Sequence, residues 1–211
     1  MADTNKILTI FLVVIICIAA VVLLYVNLPK DETTDDTTDG DTANGDTDNN
    51  QTEEPEEILS IQYNQNYVNY TLKELETFQY YIANGTMIKT GWLPEVVLEG
   101  PNEYTGIKMT ILLNEVNNLP NDYTISVLSS DDKTIEFNIS EIQGNVDIYN
   151  ETGNITGNTG VTMILAYKKD GEYLNRTEEG YLRIVFVDDD KITASNLWAK
   201  KVVTIIINDI E

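Results

Sequence analysis

The sequence predicts an α+β domain that is mostly β, built of mixed sheets with two or three short helices and preceded by one transmembrane helix. Three observations carry this expectation. Ile7 to Val26 is an uncharged apolar run. Residues 31–57 are acidic, with no aliphatic side chain larger than Ala43. Beyond residue 58, apolar and polar residues alternate as in strands buried on one face. The expected organisation is a cytoplasmic tail (1–6), a membrane anchor (7–28), an acidic tether (29–57) and an extracytoplasmic domain (58–211).

The run ILTIFLVVIICIAAVVLLYV can cross a membrane. A helix rising about 1.5 Å per residue spans a hydrocarbon core of about 30 Å in twenty residues. Pro29 marks its stop, and Tyr25 sits where interfacial aromatics are favoured. The rival reading is a cleaved signal peptide, whose apolar region is usually shorter, about 7–15 residues. Cys17 follows Val14-Ile15-Ile16, which lacks the small residues of a lipidation signal. Lys6 and Lys30 balance each other, so charge asymmetry barely orients the helix. The short tail and seven N-x-S/T sequons (Asn50, Asn69, Asn84, Asn138, Asn150, Asn154 and Asn175) favour a domain outside the cell membrane.

The tether holds twelve acidic residues between 31 and 57 and no basic one, out of a net charge of −22 for the chain. Such a segment cannot bury enough apolar surface to offset its entropy, so disorder and extension are expected. Asp46, Asp48, Asn50 and Glu57 match positions one, three, five and twelve of an EF-hand-like loop. Gln51 stands where glycine is needed, however, and Pro55 intrudes.

In the domain, Leu59, Ile61 and Tyr63 alternate, and so do Tyr123, Ile125 and Val127. Val97 and Glu99 lead to Gly100-Pro101, which reads as a turn. Asp131-Asp132 turns the chain into Ile135, Phe137 and Ile139. Val161 to Tyr167 reads as a buried strand, and Lys169-Asp170-Gly171-Glu172 as a hairpin turn. Tyr181–Val187 and Val202–Ile207 are near-continuous apolar runs, hence central strands. Helices are expected at the capping box Thr71-Leu72-Lys73-Glu74, along Met109, Leu112, Leu113 and Val116, and at a second capping box from Ser140 to Gln143. Asn150 to Gly160 reads as a long loop.

Composition removes several chemistries. There is no histidine, and Cys17 is the single cysteine. Ser-His-Asp and Cys-His catalysis are therefore impossible, as are His/Cys zinc sites. The negative charge argues against nucleic acid and against anionic lipid surfaces as partners.

The order of the pieces resembles the molybdopterin-binding domain of the sulfite oxidase family, from about Tyr70 to Ile207. Tyr70-Thr71-Leu72-Lys73-Glu74-Leu75 is similar to its helix entry. Tyr104-Thr105-Gly106, leading to Leu112-Leu113, looks like its aromatic-x-Gly turn and following helix. Val127–Phe137 with Ser129-Ser130-Asp131-Asp132 resembles a strand pair of the family. Ile164-Leu165-Ala166-Tyr167 with Asp170-Gly171-Glu172-Tyr173-Leu174, Gly180-Tyr181-Leu182-Arg183 and Trp198-Ala199-Lys200-Lys201-Val202 resemble its later motifs. The resemblance implies a sulfite-oxidase-like molybdopterin-binding fold and the molybdopterin cofactor. It also implies a metal-ligating cysteine near Lys89-Thr90-Gly91-Trp92, where this chain has none. The histidines and the dense arginines that hold the pterin phosphate in the family are absent too; the domain has only Arg176 and Arg183.

The expectation is therefore a non-catalytic binding or interaction module, with no catalytic residue and no metal. The alternatives are a divergent molybdopterin-dependent oxidoreductase and a structural cell-surface protein. No cofactor is expected unless the family function is retained, in which case it is molybdopterin. The partners expected are the membrane, through residues 7–28, and a protein or small ligand at the cell surface. Arg183, Trp92 and Tyr104 are the candidate pocket residues. Arg183 could equally form a structural ion pair, and Trp92 and Trp198 could equally be packing residues. Asp188-Asp189-Asp190 could hold a cation or be a solvated turn.

Overall fold

A computed structural model describes residues 56–89, 96–158 and 160–210. The anchor, the tether up to residue 55 and Trp92 lie outside the described residues. Among the described residues no helix is long and apolar enough to cross a membrane.

Two sheets form the domain. The first runs in the order β2 (Asn66–Thr71), β1 (Glu57–Tyr63), β13 (Val202–Asp209), β5 (Tyr123–Ser129) and β6 (Thr134–Asn138). The second runs β10 (Glu172–Tyr173), β9 (Thr162–Lys169), β4 (Val97–Lys108), β3 (Tyr80–Lys89), β12 (Ile192–Ala194), β7 (Asp147–Tyr149) and β8 (Ile155–Asn158), with β11 (Arg183–Val187) also paired to β9. β1 pairs parallel to β13, with Ile61 opposite Ile205, and β12 pairs parallel to β3. The remaining pairs are antiparallel, so both sheets are mixed. Among the described residues three short α-helices accompany the sheets: α1 (Leu72–Leu75), α2 (Met109–Leu113) and α3 (Ile139–Ile142).

The core lies between the sheets. Ile61, Ile125, Val127, Ile205 and Ile207 come from the first sheet, and Ile107, Leu165, Ile184 and Phe186 from the second. Phe137 meets Phe186 across the gap at 5.9 Å between ring centres. The alternation read in β5 is the observed burial, with Ile125 and Val127 inward. The β9–β10 turn has Asp170 at φ 52° and Gly171 at φ 83°, the positive values that made Asp-Gly a hairpin signal. Thr71 forms both halves of the expected capping box with Glu74.

Five expectations are corrected. Gly100-Pro101 is not a turn; it lies within β4, which continues to Lys108. The glycine's φ of 120° suits it to a strand irregularity, and the register shifts opposite it between Gly85 and Met87. Gly106 is likewise in β4 rather than a turn, at a second register shift against β9. The run Tyr181–Val187 is not a central strand: β11 pairs with β9 alone, yet all five of its residues are buried. On its other side the Ile184 amide donates to the Ala199 carbonyl at 2.8 Å, and just past its end the Asp188 amide donates to the Asn84 carbonyl of β3 at 2.9 Å, so that side of β11 is covered. The cap of α3 is Asn138, not Ser140: its side chain accepts from the Glu141 amide at 3.0 Å, two residues earlier than expected. Finally, residues 150–160 are not one loop. The Asn150 side chain accepts from the Thr152 and Asn154 amides and folds a tight turn, which starts the β7–β8 hairpin.

Candidate functional site

The site is built around Arg183, the first residue of β11. Gly180, at φ 79°, lets the chain before it press against Lys201; a Cβ there would lie 2.5 Å from the Lys201 Cα. The Lys201 amide donates to the Glu179 carbonyl at 2.7 Å, and the Ile184 amide to the Ala199 carbonyl at 2.8 Å. These bonds fix segment 179–184 against 199–202.

Arg183 is fully buried. Its Nη1 donates to the Glu179 carboxylate, which also lies 3.9 Å from Lys200 Nζ. Its Nη2 reaches the Met87 Sδ of β3 at 3.7 Å. The guanidinium carbon lies 5.7 Å from the Tyr104 ring centre and 5.1 Å from that of Trp198. The two rings meet edge to face at 5.6 Å. Trp198 follows a single 3-10 turn (Ser195–Leu197) and is held by its Nε1–H, which donates to the buried Thr193 hydroxyl at 2.8 Å. Two polar groups, Arg183 Nε and the Tyr104 hydroxyl, find no hydrogen-bond partner among the described residues. Burial pushes the Tyr104 phenol up to about 12, although the nearby Arg183 charge pulls the other way.

Above this cluster opens a cleft of about 310 Å³, with Arg183 and Trp198 at its floor and Lys89, Lys133, Lys200 and Lys201 among its walls. That is close to the lower size of small-molecule sites, about 300 Å³. The lysines are tempered by carboxylates: Lys89 pairs with Glu99 at 3.1 Å and Lys133 with Asp131 at 2.9 Å. Burial opposes ionisation of Glu99, but the Lys89 bond and charge outweigh it and hold its carboxyl below the usual range. The hydrogen bond from Lys133 likewise lowers Asp131. In so acidic a chain the cleft is an island where cations and carboxylates nearly balance.

The structure thus brings Tyr104 and Arg183 together. Trp92 lies outside the described residues; it is Trp198 that stacks on Arg183. Glu179, Met87 and Lys200 were not singled out from sequence. Glu179 had a signal, four residues before Arg183; Lys200 lay within the Trp198–Val202 motif, and Met87 reaches the site through the pairing of β3. The Asp188-Asp189-Asp190 turn is used internally: Asp188 pairs with Lys191 at 3.1 Å and Asp189 accepts from the Asn84 amide groups. Among the described residues no cluster of three or more His, Cys, Asp or Glu side chains could hold a metal.

A larger, open groove of about 670 Å³ runs beside β1 and β2. Tyr181, which donates to Glu56 at 2.7 Å and lies under Arg176, borders it.

No family model matches the chain, and no curated protein matches it. Among solved structures, the fold is similar to that of the sulfane dehydrogenase SoxCD from Paracoccus pantotrophus, with a TM-score of 0.51 at 15% identity. The match covers 72% of this chain and 38% of the other, so the chain spans well under half the length of that protein. At this identity the likeness speaks for the fold alone. The domain therefore shares a fold with part of a sulfur-compound dehydrogenase, in line with the molybdopterin-related fold that the motifs suggest.

Proposed function

We propose that the chain is a single-pass membrane protein whose extracytoplasmic domain is a non-catalytic binding module, with its ligand held in the cleft above Arg183. The observation that carries the reading is the construction of that floor. Arg183 packs against both Tyr104 and Trp198 and is neutralised by Glu179, so it shapes the cleft and keeps it rigid. The groups within a ligand's reach are four lysine ammoniums, the Asp131 and Glu178 carboxylates and the Ser195 edge of the cleft, so cations outnumber carboxylates. A small ligand bearing negative charge is the chemistry they favour, at a spot where the acidic domain repels it least.

The cofactor implied by the fold does not fit the residues present. A molybdenum centre of this kind needs a soft thiolate, and the chain's one cysteine is Cys17, within the expected anchor. The cleft's single arginine is already committed to Glu179. No step through molybdopterin is therefore derived.

The test is a binding screen on the full chain in detergent, read by ligand-induced rise in Tm, with Lys200→Glu and Lys133→Glu as controls. Hits lost in both variants support the module; hits that ignore both place the ligand elsewhere. The second reading, a divergent molybdopterin oxidoreductase, draws on the fold shared with a sulfane dehydrogenase. Near one molybdenum or tungsten per chain in protein from its native source would favour it over the first.

A further inference from the structure

We propose that Asn175 is an N-glycan acceptor and that the sequon asparagines on strands β2 and β3 are not. Six of the seven sequons fall among the described residues, and the structure separates them by what their side chains are already doing.

Asn69, in β2, is half-buried, and its Nδ2 donates to the Glu57 carboxylate at 2.6 Å. The hydroxyl of its sequon, Thr71, is locked in the α1 capping box, donating to Glu74 at 2.9 Å. Asn84, in β3, is half-buried too, and its Nδ2 donates to Asp189 at 3.1 Å. Bonds to a carboxylate are the stronger kind, and these two amides would have to give them up to react. Asn150 is half-buried and its carboxamide oxygen takes three bonds, one of them from its own sequon hydroxyl, Thr152. Asn154 donates its Nδ2 to the same Thr152 hydroxyl at 3.0 Å. At Asn138 the carboxamide oxygen caps α3, and the sequon hydroxyl of Ser140 accepts from Asn145 at 3.3 Å.

Asn175 differs from all five. Asn175, Arg176 and Thr177 are exposed in the loop between β10 and β11. The carboxamide oxygen accepts from the Thr177 amide at 3.0 Å and from the Glu178 amide at 3.3 Å, an Asx turn. This turn brings the third sequon residue beside the carboxamide. No hydrogen bond within the described residues engages the Asn175 Nδ2 or the Thr177 hydroxyl. Acceptor nitrogen and sequon hydroxyl are thus both presented to solvent, in a turn that a transferase can hold without unfolding a strand. The step needs a lipid-linked glycosyl phosphate as donor. The sugar's anomeric carbon gains a bond to Nδ2, its bond to the phosphate oxygen breaks with the electron pair leaving on phosphate, and Nδ2 gives up one proton.

The inference rests on the extracytoplasmic reading, and the experiment keeps the two apart. The full chain is isolated from membranes of the cells that make it, and its peptides are weighed by mass spectrometry. Before lysis, the same cells are treated with a membrane-impermeant amine label that reports which side carries the domain lysines. The expected result is a glycan mass on the peptide ending at Arg176 and no glycan on Asn69 or Asn84, with fragmentation separating Asn69 from Asn50 on the peptide they share. Thr177→Ala should abolish the mass and Thr177→Ser should retain it. A bare Asn175 on a labelled domain overturns the site and leaves the location standing. A bare Asn175 on an unlabelled domain overturns both. Glycan on Asn69 or Asn84 overturns the structural criterion even if Asn175 is also modified.

Discussion

Arg183 and Trp198 are stacked, the guanidinium carbon lying 5.1 Å from the centre of the indole ring. The charge is buried, and the carboxylate bonded directly to it is that of Glu179. Glu179→Gln should cost about 3–5 kcal/mol, the usual loss when one partner of a buried pair is removed. Replacing both residues, as in Glu179→Leu with Arg183→Met, should recover most of that loss. Urea unfolding of the single and double variants measures it; a double variant as weak as the single would deny that the stranded charge is the cause.

Among the described residues the buried Tyr104 hydroxyl has no well-formed hydrogen bond, although the Asn102 side chain lies near enough to lower its pKa. Tyr104→Phe should therefore stabilise the domain by up to about 1 kcal/mol, the low end of the cost of an unsatisfied buried polar group, about 1–3 kcal/mol. The same residue sets an alkaline limit. Its folded pKa is raised to about 12 from 10.0, so the unfolded chain loses this proton first. The contribution is intact below the unfolded value and is lost as pH rises toward the folded one. Stability measured against pH should fall less steeply above the ordinary tyrosine value in Tyr104→Phe than in the parent.

Gly106 sits at the register shift where β4 pairs with β9, and a Cβ there would lie 2.3 Å from the Leu165 carbonyl oxygen. Backbone cannot yield as a side chain can. Gly106→Ala should lose about 2–3 kcal/mol or more, in the range of overpacked cores. Gly157, whose Cβ would meet nothing within 4 Å, is the control and should tolerate alanine.

The caps give a finer test. Thr71→Ala and Asn138→Ala should each cost about 1 kcal/mol, the typical loss of a helix cap. Ser140→Ala should cost much less, because the α3 cap lies at Asn138. Equal losses at Asn138 and Ser140 would contradict that assignment.

What the sequence made legible was local. The Asp170-Gly171 turn, the Thr71 capping box and the alternation of β5 are set by neighbours within a few residues, and all are observed. Errors arose where distant chain decides. Gly100-Pro101 carries the composition of a turn, but pairing with β3 pulls it into a strand. β11 is apolar enough for a central strand, but its other side is covered by the segment around Ala199. Asn138 and Ser140 both begin plausible capping boxes, and the reach of β6 chooses between them. At the site, Arg183 and Tyr104 were legible from motif order. Met87 was not, since only the registry of β3 carries it there.

The parallel pairing of β1 with β13 has a mechanical consequence. Tension applied to the chain ahead of Glu57 runs along β1, in line with its neighbour, so Ser60 through Tyr63 resist together against Thr204 through Ile207. Bonds loaded in shear break collectively, whereas a peeled hairpin opens one rung at a time. A domain tugged from its leading end thus meets the load with its most resistant geometry, and the two extremities of the fold act as a clasp.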